Sequence, residues 1–161
     1  MQPINDATGT DDARQIIARR RGWLSLMADA DDDQLTSLYE AIAPVPEYRL
    51  VRPAQVGLAM VRARMDARGA SFNLGEMTLT RCTVRLHCGT LGHAYVAGRK
   101  PRKAERIAVM DALLTRAPND QLLYERLIRP LELARRQRCQ DQARRSAATR
   151  VDFYTLVRGE D

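Results

Sequence analysis

The chain has 161 residues, 45% of them hydrophobic, which fits one ordinary domain with a buried core. Its net charge of +6 suits an anionic partner, but every basic residue except Lys100 and Lys103 is an arginine, a bias that genome composition explains equally well. An aromatic content of only 5% argues against the stacking surfaces of many nucleic-acid-binding proteins. No apolar run approaches the roughly 20 residues that cross a bilayer, and three cysteines are too few for a disulfide framework, so we expect a cytoplasmic protein with free thiols.

Two helices are predicted in the first third of the chain. Residues 1–12 lack periodicity and are interpreted as a disordered extension, so the predicted domain covers residues 13–161. Apolar residues recur at helical spacing from residue 13 to about residue 30. Asp31, Asp32 and Asp33 then offer an N-cap for a second helix that continues to Ile42.

An antiparallel sheet is predicted in the middle of the chain. Residues 47–53 resemble a short edge strand, because Pro53 cannot donate a hydrogen bond to a neighbour. Residues 55–65 indicate a second strand, although their Ala and Met content also permits a helix. Residues 72–86 alternate with β-branched side chains, and residues 88–90 form a turn into a strand at 91–97.

The last third of the chain is predicted to be helical. Pro101 lies in the first turn of one helix, and Asn119 and Asp120 can cap another that reaches Ile128. Pro130 starts or kinks a basic segment that extends to about residue 149. Residues 151–158 alternate again and would add a strand to the sheet or to a partner. The predicted fold is α+β, an antiparallel meander flanked by N-terminal and C-terminal helices.

No catalytic, cofactor-binding or metal-binding residue can be assigned from the sequence. Cys82, His87, Cys88 and His93 are the residue types that bind zinc, but adjacent strand residues point to opposite faces and the chain has no C-x-x-C spacing. The chain has no G-x-S-x-G elbow or related signature of a nucleophile with its base, and most carboxylates are explained by helix capping or by solvated helix faces.

Two groups of basic residues are candidates for binding anions. Residues 98–103 connect a glycine to the start of a helix. This basic turn would either bind a phosphate group or be surrounded by water alone. Arg62, Arg64, Arg81 and Arg85 would converge into one cationic surface if their strands pair. Phosphate, partner carboxylates and water all remain open as the counterpart of that surface.

The sequence also resembles the PhnG family of the bacterial carbon-phosphorus lyase system, over residues 21–159. The matching segments are Arg21, Trp23 and Leu24; Gly57-Leu58; Ala63-Arg64-Met65; Phe72; Gly75-Glu76; Thr78-Leu79-Thr80-Arg81; Val84-Arg85-Leu86; Gly89-Thr90-Leu91-Gly92; Gly98-Arg99; Ala104-Glu105; Asp111-Ala112-Leu113; Pro130-Leu131; Arg150-Val151-Asp152-Phe153; Thr155; and Val157-Arg158-Gly159. The chain departs from the family in its acidic N-terminal extension and at Leu24, where relatives tend to have Met.

The resemblance implies an accessory subunit that works with PhnI, PhnH and PhnJ, with PhnI as the most direct partner. That assembly is expected to make alpha-D-ribose 1-methylphosphonate 5-triphosphate from ATP, with magnesium, and methylphosphonate, releasing adenine. An iron-sulfur cluster and S-adenosylmethionine are expected in PhnJ, and no cofactor in this chain.

The residues considered for contact with a partner or an anion are Arg62, Arg64, Arg81, Arg85, Arg99 and Arg158. Two other interpretations remain: a basic nucleic-acid-binding protein, and a self-associating scaffold that forms a homodimer when isolated.

Overall fold

The computed structural model describes residues 7–42, 44–66 and 68–149. In chain order the elements are α1 (Ala7–Asp29), α2 (Asp32–Glu40), β1 (Tyr48–Arg64), β2 (Ser71–Leu86), β3 (Leu91–Ala97), α3 (Pro101–Arg116), α4 (Gln121–Leu127) and α5 (Arg129–Ala148). The strands form one antiparallel sheet in the order β1-β2-β3. This arrangement confirms the predicted α+β fold with a central meander between two groups of helices.

β1 is one strand of 17 residues, whereas the sequence suggested two strands separated near Pro53. The ladder to β2 continues past Pro53 through two irregularities, between Leu50 and Arg52 and between Arg52 and Gln55. β1 has a described neighbour only on the β2 side, so a proline without an N–H group is tolerated there. The prediction of a break was wrong, and so was the option of a helix at residues 55–65.

The hydrophobic core lies between one face of the sheet and α3. Thr80, Cys82, Val84 and Leu86 of β2 are buried while the residues between them are more exposed, which confirms the predicted alternation. α3 is buried through most of its length because α1, α2 and α4 pack around it. Its residues 107–112 are all buried, so α3 is the central helix of the fold.

The approach of β3 to α3 depends on a glycine. A Cβ atom added at Gly92 would lie 2.6 Å from the backbone nitrogen of Ala112, and it would also collide with the backbone oxygen of Ala108. Only a residue without a side chain fits between the strand and the helix.

A buried carboxylate, Asp111 of α3, binds the outer edge of β3 at His93. Asp111 accepts hydrogen bonds from the guanidinium of Arg20 (2.6 and 3.1 Å), from Nε1 of Trp23 (2.9 Å) and from the backbone N–H of His93 (2.8 Å). Arg20 also donates to the backbone oxygen of Leu91. These bonds satisfy one N–H and one C=O group at the free edge of β3 and connect the strand to α1 and α3.

Several predicted helix boundaries are confirmed. Asp31 caps α2 by accepting from the backbone N–H of Asp33, and Asp120 caps α4 by accepting from that of Leu123. Pro130 lies in the first turn of α5, so it starts that helix and does not kink it. α1 begins at Ala7, earlier than the predicted start at residue 13. The strand predicted at 151–158 lies outside the described residues.

Candidate functional site

The distal part of the β1–β2 pair extends beyond the rest of the sheet. β3 pairs with β2 only from Leu79 to Arg85, so residues 58–64 of β1 and 71–78 of β2 form a two-stranded ribbon, here called the arm. At about 3.3 Å per residue the arm is on the order of 20 Å long. Every residue from 71 to 77 is exposed.

The arm carries apolar side chains that nothing in the described chain covers. The exposed fraction is 66% for Leu58, 54% for Met60 and 64% for Leu74, and Met65 at the tip reaches 88%. Phe72 and Met77 are also exposed. A two-stranded ribbon is marginally stable in water, and contiguous exposed apolar side chains are typical of interaction surfaces.

Arg62 and Arg64 lie at the end of the arm. Arg62 donates to Oγ of Ser71 over 2.7 Å. The ladder has an irregularity between Val61 and Arg62, where the extra residue belongs to β2. The alternation of β1 therefore continues unchanged, and both arginines share the face of Leu58 and Met60.

Arg81 and Arg85 lie on the opposite face, at the base of the sheet. Arg81 is opposite Gln55, and Arg85 is opposite Arg49. Asn73, which lies opposite Arg62, is eight residues from Arg81 along β2. Arg62 and Arg81 are therefore on the order of 25 Å apart. The strands pair as the sequence suggested, but the four arginines do not form one surface.

The neighbours of Arg81 and Arg85 are instead two arginines of β1, Arg49 and Arg52. Arg52 is opposite Thr83, in the row between those of Arg49 and Gln55. Neither was predicted from the sequence, because their position depends on the two irregularities around Pro53, which bring Arg52 to the same face as Arg49 and Gln55. The only signal in the sequence was the alternation at residues 47–53.

A cleft lies where β1 begins and β2 ends. It has a volume of about 380 Å³ and is lined by Glu47, Tyr48, Arg49, Arg85, Leu86 and His87. Nε of Arg85 is buried and has no hydrogen-bond partner among the described residues. An unsatisfied buried donor beside a second arginine makes this cleft the best candidate in the described structure for receiving an anionic group.

Two of the four cations in the basic turn before α3 are paired with one carboxylate of the chain. Nζ of Lys100 and Nζ of Lys103 lie 3.0 and 3.1 Å from Oδ1 of Asp32. Partial burial raises the pKa of Asp32, but the hydrogen bonds from the two lysines outweigh it and the pKa is lowered. Arg99 is exposed beside this cluster, and Arg158 lies outside the described residues.

The cysteines and histidines do not form a metal site. Cys82 is buried on the core face, His93 belongs to the opposite face, and Cys88 is exposed in the turn between β2 and β3. Among the described residues, no group of three or more His, Cys, Asp and Glu is arranged to hold a metal ion.

Tyr48 and Glu105 form a polar pair between β1 and α3. The phenol of Tyr48 donates to Oε1 of Glu105 over 2.8 Å. Burial, followed by the bond to Glu105, raises the pKa of Tyr48 well above its usual value. A phenol held protonated in this way is a structural donor that fixes the start of β1 against α3.

None of the helices in the described part of the chain is both long and apolar enough to cross a membrane.

Comparison with known proteins agrees with the resemblance seen in the sequence. A family model described as phosphonate metabolism protein PhnG matches residues 18–159. A protein of Rhizobium meliloti (strain 1021), named alpha-D-ribose 1-methylphosphonate 5-triphosphate synthase subunit PhnG, is 38% identical over 159 residues, which cover 97% of this chain and 99% of the relative. The chain therefore belongs to the PhnG family of phosphonate metabolism proteins.

Proposed function

We propose that this chain is an accessory subunit of an alpha-D-ribose 1-methylphosphonate 5-triphosphate synthase, the activity named for its relative. The observation that carries the proposal is the arm, which exposes Leu58, Met60 and Leu74 to solvent. A protein that acted alone would gain nothing from an uncovered apolar ribbon, whereas a subunit can bury it against a neighbour.

The proposed reaction joins methylphosphonate to the ribose of ATP and releases adenine. We assign the chemistry to the companion subunits: PhnI is the proposed direct neighbour, and PhnH and PhnJ complete the assembly. ATP with magnesium would be bound by the assembly, and the iron-sulfur cluster with S-adenosylmethionine by PhnJ. The chain would bind none of them itself and would work in the cytoplasm.

The requirement for the chain is tested by reconstitution. The companion subunits are purified with and without this chain, and adenine release from ATP and methylphosphonate is followed by liquid chromatography. We expect release to depend on the chain. Turnover of a nucleotide or a phosphonate by the isolated chain would contradict the accessory role.

The arm is tested by substitution. Leu58→Asp together with Leu74→Asp should prevent co-purification with the companions, because burying two unpaired carboxylates in an interface costs several kcal/mol. Leu122→Asp is the matched control, since Leu122 is 78% exposed on α4, away from the arm. Equal recovery of complex with the arm variant and the control would rule out the arm as the docking element.

A further inference from the structure

The sheet face that points away from α3 carries four arginines in three neighbouring cross-strand rows. Arg49 is opposite Arg85, Arg52 is opposite Thr83, and Gln55 is opposite Arg81. We call this surface the arginine face. No paired strand residue of this face is acidic in the described structure, and no described acidic group forms an ion pair with any of the four.

The arrangement is unfavourable in the free chain. Like charges directly opposite each other on paired strands destabilise a sheet, and Arg49 and Arg85 occupy such a position. Glu47 lines the cleft beside them without forming an ion pair with either. The buried Nε of Arg85 adds a donor that lacks an acceptor. Both features would be relieved by a carboxylate placed between the two guanidinium groups.

The composition of the arginine face favours a protein as the source of that carboxylate. Tyr95, 59% exposed, lies beside Arg81, and Leu91 lies beside Arg85. Tyrosine and arginine are both enriched at protein interfaces, and an exposed tyrosine lies among the arginines here. Arg81 and Arg85 are four residues apart on one strand, on the order of 13 Å, which is wider than a single phosphate group.

We infer that the arginine face binds an acidic surface of a partner protein, with one carboxylate side chain inserted in the cleft between Arg49 and Arg85. The inference rests on the proposed function, because the partner is a companion subunit of the assembly. It identifies a second docking surface, on the opposite face of the sheet from the exposed Leu58 and Met60 of the arm.

Three charge reversals in the full chain test the inference. Arg49→Glu and Arg81→Glu change the arginine face, and Arg102→Glu makes the same change in charge in the first turn of α3, where an acidic residue suits the helix N-terminus. Binding to the co-expressed companion subunits is measured by calorimetry at several salt concentrations.

We expect each change on the arginine face to weaken binding about tenfold or more and to reduce its salt dependence, with little effect from Arg102→Glu. Arg49→Glu has a second readout, because it places a carboxylate opposite Arg85 in the free chain. The melting temperature of the isolated variant should therefore rise while its affinity for the companions falls. A merely structural role for Arg49 would not give that combination.

Two results would overturn the inference. The first is that Arg49→Glu binds the companions with unchanged affinity while the arm variant fails to bind. The proposed function would then remain intact. The other is binding of inorganic triphosphate or of a short DNA duplex to the isolated wild-type chain that Arg49→Glu abolishes, since the face would then serve a phosphate ligand. Failure of the proposed function is separate, because the wild-type chain would then not bind the companions at all.

Discussion

Asp111 is the residue on which the contact between α1, α3 and β3 depends. Its side chain is fully buried and accepts from Arg20, Trp23 and the backbone of His93. Capping and solvated helix faces explain most carboxylates of the chain, and Asp111 is an exception. Its position in the interior follows from the packing of α3 on all sides, which periodicity within one helix does not reveal.

Asp111→Asn should destabilise the fold by about 2–4 kcal/mol. The substitution removes the negative charge beside Arg20 and turns one acceptor into a donor that faces other donors. Arg20 is 29% exposed and can reach water, which keeps the loss below that of a fully buried pair. Urea denaturation measures the change. A loss below about 0.5 kcal/mol would show that the network contributes little.

The three cysteines should react with iodoacetamide in a fixed order. The pKa of the exposed Cys88 is lowered, first by the hydrogen bond with Thr90, so a larger fraction is thiolate at neutral pH. Burial, with a further effect of Glu105, raises the pKa of Cys82 to about 11. Mass spectrometry of the native chain at pH 7.5 should find Cys88 modified first and Cys82 last. Modification of Cys82 before Cys88 would contradict this order.

At the scale of elements, the contact between β3 and α3 sets how closely the sheet and its helix approach. Gly92→Ala should destabilise the chain by about 3 kcal/mol or more, because the added methyl group meets backbone atoms that cannot move independently. Gly57→Ala is the matched control in the same sheet, since its Cβ would meet nothing within 4 Å. Thermal denaturation of both variants gives the comparison, and equal stability would mean that β3 can shift away from α3.

β1 shows where reasoning about single segments fails. Pro53 interrupts the local pattern, so residues 47–53 and 55–65 looked like separate strands. The backbone instead keeps its ladder to β2 through two irregularities: the first reverses the alternation of the strand and the second restores it. The same irregularities place Arg49 and Arg52 beside Arg85 and Arg81, and this is why the arginine face could not be assigned from alternation alone.

For the whole molecule, the exposed arm has a consequence for the isolated chain. Apolar side chains on an uncovered ribbon favour association with a second copy when no partner is present. We expect the purified wild-type chain to self-associate with rising concentration, and the variant with Leu58→Asp and Leu74→Asp to remain monomeric. Sedimentation velocity measures both, with Leu122→Asp as the control. Persistent association of the arm variant would place the contact on another surface.

The sequence alone determined the α+β class with a central meander between helices, the alternation of β2, the helix caps at Asp31 and Asp120, and the family. These features depend on local periodicity, capping chemistry and the spacing of many motifs, all of which are readable along the chain. It also predicted that Arg62, Arg64, Arg81 and Arg85 would share one surface, which the register of the strands contradicts.

Only the tertiary structure decided the rest: the burial of Asp111, the close approach at Gly92, the arm that β3 does not reach, and the separation of Arg62 and Arg64 from Arg81 and Arg85. Each depends on register and on contacts between segments distant in sequence. One extra residue in a strand moves every following side chain to the other face, and no local pattern records where that residue is accommodated.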